Sequence, residues 1–172
     1  YGGPRITADK DDIWSTNMNI IQNFIAISRI ISPSRIIFLS SAGSLYPENK
    51  KSFNFPETFK PIPTNSYGKQ KLVSEKLLTY FAETQKQQLT ILRIASAYGF
   101  DRRFSDQGVI NKWLYSAINS KKIQLYNSKE SQINFISFKN ISRSIIISLQ
   151  NELNGIYNVG SEKSVSLEEV IE

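Results

Sequence analysis

Tyr67 and Lys71 are the side chains whose types and spacing point to chemistry. They sit four residues apart in Pro63-Thr-Asn-Ser-Tyr-Gly-Lys-Gln-Lys71, a turn running into a helical pattern. Four residues is about one helical turn, so phenol and ammonium share a face. A free tyrosine titrates near pH ~10 and is a poor base at neutrality. A neighbouring cation favours the phenolate, and a phenol tuned in this way can move a proton on or off a carbinol oxygen. A bare YxxxK also occurs by chance on surface helices, so the surrounding elements must carry the assignment.

The element that positions the pair begins after Pro63, with Asn65 or Ser66 as its cap. Val73, Leu77, Tyr80 and Phe81 then recur at helical spacing to about Thr84. Upstream, Asp11 to Ile31 is a long helix pattern. Trp14, Met18, Ile21 and Ile25 form one stripe, with Ile20, Phe24, Ile27 and Ile31 beside it. So broad an apolar face predicts a helix wedged against a sheet.

Between these helices, Ile36-Ile-Phe-Leu39 is a short continuous apolar run, as expected of a strand buried on both faces of a parallel sheet. It exits into the small polar loop Ser40-Ser-Ala-Gly-Ser44. Chemistry in open parallel sheets sits at such carboxyl ends. Residues 46–64, with four prolines, read as a long loop. Leu89 to Ile94 is a second buried strand, leaving through Ala95-Ser-Ala-Tyr-Gly99. Helix–strand–helix–strand order predicts α/β with right-handed crossovers. Beyond Gly99 come a helix over 109–118, short strands at 123–126 and 133–138, a helix over 140–149 and a strand at 155–160. Ser166 in S-L-E-E opens a capping box on a last helix.

Composition bounds the function. The 172 residues suffice for one domain with a sizeable core, or a domain with a small appendage. The 40% apolar and 21% charged content is that of a soluble globular protein, and no run approaches the ~18 apolar residues of a membrane span. No signal-peptide pattern opens the sequence, so a cytoplasmic setting without membrane association is expected. Zero Cys removes disulfides and thiolate metal sites, and zero His removes His-based triads and the usual zinc sets. Acid–base work therefore falls to Tyr, Lys, Ser, Asp or Glu, and no metal is expected. The net charge of +6 comes from scattered basic residues without a clustered patch and stacking aromatics. This argues against nucleic-acid binding and suits a phosphorylated small substrate.

Taken together, IIFLSSAGSLYP, PTNSYGKQKLVSEKLL, LRIASAYG, QGVI and GIYNVGS resemble, in order and spacing, the extended short-chain dehydrogenase/reductase family of nucleotide-sugar epimerases, dehydratases and reductases. The resemblance covers nearly the whole chain. It implies a partial Rossmann-like parallel sheet with helices on both faces plus a small α+β substrate-binding part. Residues 1–99 would be the later part of an NAD(P)-binding domain and 100–172 mostly substrate-binding, with an interleaved boundary. It makes Tyr67 the catalytic acid–base, with Lys71 holding the nicotinamide ribose and lowering the tyrosine pKa. Asn17 matches a cofactor-side asparagine, Ile94 to Ser96 would line nicotinamide and sugar, and Gln107 to Ile110, Val109 included, would touch the nucleotide of the substrate. The implied reaction begins with hydride transfer from a sugar carbinol to NAD (or NADP), Tyr67 accepting the hydroxyl proton. The transient 4-keto sugar is then re-reduced or otherwise processed. Family members often dimerise through helices matching 11–31 and 67–84, so a homodimer is expected.

The chain departs from the family pattern in four places. The glycine-rich GxxGxxG turn is absent, and Gly2-Gly3 is not that motif because no strand precedes it. The chain therefore reads as the later piece of a longer enzyme, inactive alone and without the amides that hold a pyrophosphate. The strand-exit hydroxyl is either Ser41 or Ser44. Counting back from Tyr67 lands on Ala42, and Ser44 shares alternation parity with that position. Ser96 stands where many relatives have Asn. Ile133, Asn134 and Asn140 occupy an arginine and two acidic positions, which removes the usual diphosphate clamp unless Arg102 or Arg103 substitutes. Ala42-Gly43-Ser44 lacks the acid pair of a 4,6-dehydratase, and a fucose-synthase-type 4-keto reductase normally adds a Cys and a His. A 4-epimerase serving surface-polysaccharide sugar synthesis is the remaining reading. Dehydratase, reductase and a truncated noncatalytic relative are the alternatives.

Overall fold

The computed structural model describes residues 11–47, 55–99, 108–123 and 128–171, with 11–13 by backbone alone. Expectations for Arg102, Arg103, Gln107 and the strand at 124–126 lie outside these residues, and Ile123 is not in a strand. Helix α1 (Asp11–Ile31) leads into strand β1 (Arg35–Ser41), a single-turn helix α2 (Ala42–Leu45) and the long α3 (Ser66–Gln85). Then come β2 (Gln88–Ile94), β3 (Ser96–Tyr98), α4 (Val109–Ile118), β4 (Gln132–Ile133), β5 (Phe135–Ser137) and α5 (Phe138–Gln150). Strands β6 (Gly155–Val159) and β7 (Val165–Ser166) and helix α6 (Leu167–Ile171) close the described chain.

The main sheet runs β1-β2-β6, all parallel, with β2 at its centre. Alternation along β2 sends Leu89 and Ile91 to one face, where they pack with Ile21 of α1, Ile36 of β1 and Leu78, Phe81 and Ala82 of α3. Leu92 and Ile94 face the other side, against Ile136, Ile141 and Ile145. Helices thus cover both faces, as the Rossmann-like reading requires. Strand β3 pairs in parallel with β5, and β4 antiparallel with β7, as two separate two-stranded pairs.

Several expectations are corrected. Strand β1 is not buried on both faces: among the described residues it pairs with β2 alone, and Leu39 is 39% exposed. Helix α1 does lie against the sheet, through Ile21 and Ile25, and against α3, but along a narrower stripe than expected: Trp14, Ile20, Phe24, Ile27 and Ile31 are exposed. The serine-rich exit is a helical turn rather than a loop. The run at 133–138 is broken at Asn134 into β4 and β5, and Phe138 already belongs to α5.

Candidate active site

The start of α3 is fixed by Asn65, whose side chain accepts from the Gly68 amide at 2.8 Å and satisfies one of the helix's free N–H groups. Tyr67 and Lys71 follow on its first two turns. Lys71 Nζ lies 5.7 Å from the Tyr67 ring centroid and 4.9 Å from that of Phe38, and donates to the Leu39 carbonyl at 2.8 Å. The Ser34 carbonyl accepts from the Gln88 amide. By strand alternation the Leu39 carbonyl therefore points away from β2, and Lys71 satisfies that acceptor.

Burial raises the Tyr67 phenol to about 12. Burial also lowers Lys71, against the opposing pull of Glu75. The expected lowering of the phenol by the adjacent cation does not occur: burial disfavours the phenolate, and the hydrogen bond of the ammonium goes to Leu39. At neutral pH Tyr67 carries its proton.

Strand β1 delivers the hydroxyls. Ser41 caps α2, and its Oγ donates to Ser44 Oγ at 3.2 Å, so the two candidates form one hydrogen-bonded pair. Ser40, buried and without a hydrogen-bond partner among the described residues, is a third hydroxyl that sequence reasoning passed over. Gly68 brings the serine turn to the tyrosine helix. A Cβ there would stand 2.1 Å from the Ser44 carbonyl oxygen and 2.9 Å from Pro63 Cβ, so only glycine permits this approach. An isolated glycine within a helical period was the available signal.

Sheet register aligns the carboxyl ends: Ser41 pairs with Ile94, and Ile94 with Val159. Ser96 is half-buried on β3, its amide bonded to the Asn134 carbonyl. Val109 opens α4 beside that strand, since a Cβ on Gly108 would meet the Ala97 carbonyl at 3.5 Å. Asn17 reaches α3, where its amide donates to Gln70 Oε1 at 2.6 Å. Gln70, buried directly before Lys71, carried no sequence signal.

Beneath the site, the Arg93 guanidinium forks onto Glu75 (Nε–Oε1 3.1 Å, Nη2–Oε2 2.8 Å), both side chains at most 4% exposed. Burial opposes the Arg93 charge, but the hydrogen bonds to Glu75 and Tyr46 prevail and hold its pKa above the usual value. Asn134 donates to the Ser161 carbonyl and accepts its amide, while Ile133 pairs with Val165. No group of three or more acidic residues placed to hold a metal ion occurs among the described residues.

The ribose end of a dinucleotide fits this geometry, since a phenol and an ammonium flank one face at the sheet's carboxyl edge. A pyrophosphate cradle does not follow from it, because the sequence contains no GxxGxxG turn.

A family model described as the NAD dependent epimerase/dehydratase family matches residues 2–160. The dTDP-4-dehydro-6-deoxyglucose reductase of Escherichia coli is 33% identical over 140 residues, which cover 80% of this chain and 44% of that protein. The dTDP-L-rhamnose 4-epimerase of Burkholderia thailandensis is 27% identical over 111 residues, 62% of this chain and 31% of that one. The chain thus spans less than half the length of these curated relatives. Among solved structures, UDP-N-acetylglucosamine 4-epimerase from Bacillus cereus superposes with a TM-score of 0.83 at 24% identity, over 98% of this chain and 59% of that one. UDP-glucose 4-epimerase of Thermus thermophilus, solved with NAD, gives 0.81 at 20% identity, over 90% and 51%.

Proposed function

The chain belongs to the NAD-dependent epimerase/dehydratase family, and from this we propose that it acts in oxidation and reduction at C4 of a nucleotide sugar, as a 4-epimerase. The observation that carries the reading is the Tyr67–Lys71 pair set beside the hydrogen-bonded Ser41–Ser44 hydroxyls through the Gly68 contact. Tyr67 would exchange a proton with the C4 oxygen, and one of the serine hydroxyls would bind that oxygen. Lys71 and Tyr67 would hold the nicotinamide ribose, with Asn17 behind them through Gln70. NAD, when bound, supplies the hydride acceptor and donor, and its pyrophosphate would be held by residues outside this sequence. Ile94, Ser96 and Val109 would line the sugar nucleotide. Both curated relatives are named for chemistry at C4 of a dTDP-linked sugar, so a dTDP-sugar is the substrate proposed.

A second reading, a 4-keto reductase, is favoured by one observation: the reductase relative is the more similar of the two, at 33% against 27% identity. A 4,6-dehydratase is disfavoured by Ala42-Gly43-Ser44.

The open apolar faces of α1 and α3, with Phe24, Ile27, Val73 and Leu77 exposed, support pairing with a second copy. A cytoplasmic setting accompanies the reading; among the described residues no helix is long and apolar enough to cross a membrane.

The test is Tyr67→Phe in the full-length protein, assayed with NAD and dTDP-sugars. Turnover should fall by ~10²–10⁴-fold, far more than any loss of NAD affinity, since Lys71 still holds the ribose. An unchanged rate would remove Tyr67 from the mechanism. A product formed from a 4-keto substrate but not from its 4-hydroxy counterpart would select the reductase.

A further inference from the structure

We propose that Tyr46 and Arg93 are positioning residues that hold the serine turn in register with the helix bearing Tyr67. Tyr46 is the residue directly after α2, and its amide donates back to the Ala42 carbonyl at 3.0 Å. Its phenol is used in both directions: it accepts from Arg93 Nη1 at 2.9 Å and donates to Asn158 Oδ1 at 2.8 Å. Its ring stacks on Phe55 at 5.1 Å and meets Phe59 edge-on at 6.1 Å. Asn158 in turn donates to the Phe55 carbonyl and, through its amide, to Glu57.

The other two arms of Arg93 grip Glu75, one turn beyond Lys71 and two beyond Tyr67 on α3. A continuous path of charge-assisted and polar bonds therefore runs from α3 through β2 to the end of the serine turn, and on to β6. It joins the two halves of the candidate site from below, while the Gly68–Ser44 contact joins them from above. Proton transfer needs donor and acceptor within ~2.6–3.2 Å, so a shift of a fraction of an ångström between Ser44 and Tyr67 matters. A paired buried ion contributes little net stability compared with apolar side chains of the same volume. Geometry is what this network adds.

The inference rests on Tyr67 being the acid–base, but its test does not require turnover. Tyr46→Phe keeps the stacked ring and removes only the hydroxyl. Glu75→Leu with Arg93→Met removes both buried charges together, so neither is stranded. In each variant, hydrogen exchange of amides 42–46 should quicken by about tenfold, with β1 and β2 unchanged. Nitration of Tyr67 by tetranitromethane, read by peptide mass, should quicken as water reaches the phenol and its pKa falls back towards the ordinary value.

Unchanged exchange at 42–46 together with unchanged Tyr67 nitration in Tyr46→Phe would overturn the proposal. So would exchange that quickens equally throughout the core, since that is what a purely stabilising role predicts. If only the double variant leaves the turn unmoved, Arg93 is not a positioning residue. The acid–base reading fails separately, on an unchanged rate in Tyr67→Phe.

Discussion

Helix α3 contributes to two polar pairs, through Tyr67 and Lys71 and, eight residues after Tyr67, through Glu75, and they are built in opposite ways. Glu75 meets Arg93 with every guanidinium arm engaged and both side chains closed off from water. Tyr67 stands beside Lys71 with no hydrogen bond to its phenol among the described residues, at the edge where three strands end. A buried pair with all its bonding capacity used is scaffolding. A desolvated group that keeps its proton and its bonding capacity is available to a substrate.

The sharpest way to break this contrast is to exchange the expected costs. Arg93→Met strands a buried carboxylate and should destabilise the fold by ~3–5 kcal/mol in urea titration. Tyr67→Phe should cost under ~1 kcal/mol, because no hydrogen bond is lost. If the phenylalanine variant were the less stable, Tyr67 would be part of the scaffold. Next in size, Gly68→Ala puts a methyl group into the Ser44 carbonyl and should cost ~1–3 kcal/mol by forcing helix and turn apart; the change should appear in the amide spectra of both segments. Asn65→Ala removes the cap of the helix carrying both pairs, worth about 1 kcal/mol in thermal melting.

The last effect shows itself only in alkali. The folded phenol titrates at about 12 against an ordinary 10.0. The folded state therefore binds the proton more tightly, so its stabilising contribution is whole below pH ~10 and is lost as pH rises towards ~12. Tyr67→Phe should flatten that alkaline decline relative to wild type, in urea midpoints measured across the same range.

What could be read from sequence was whatever repeats or caps. The bounds of α1 and α4, the central burial of β2 and the Ser166–Glu169 capping box follow from period and local chemistry. The choice between Asn65 and Ser66 is settled for Asn65. Helix α2 and strands β3 and β7, two to four residues long, are too short to show a period. Contacts across the fold were invisible for another reason. Glu75 and Arg93 are separated by 18 residues and Asn17 and Gln70 by 53, and no local pattern announces such a partner. The direction of the Tyr67 shift depended on burial, which spacing alone does not supply. Leu39 misled because an apolar run records composition and not how many neighbours a strand has.

Asn134 acts as a staple that only an amide can form. Its side chain both donates to and accepts from the backbone of Ser161, stitching the β4–β5 break to the exit of β6. A carboxylate there would keep the acceptor but set an oxygen against the Ser161 carbonyl. Aspartate would hold one arm of the staple and repel the other, because it offers no N–H.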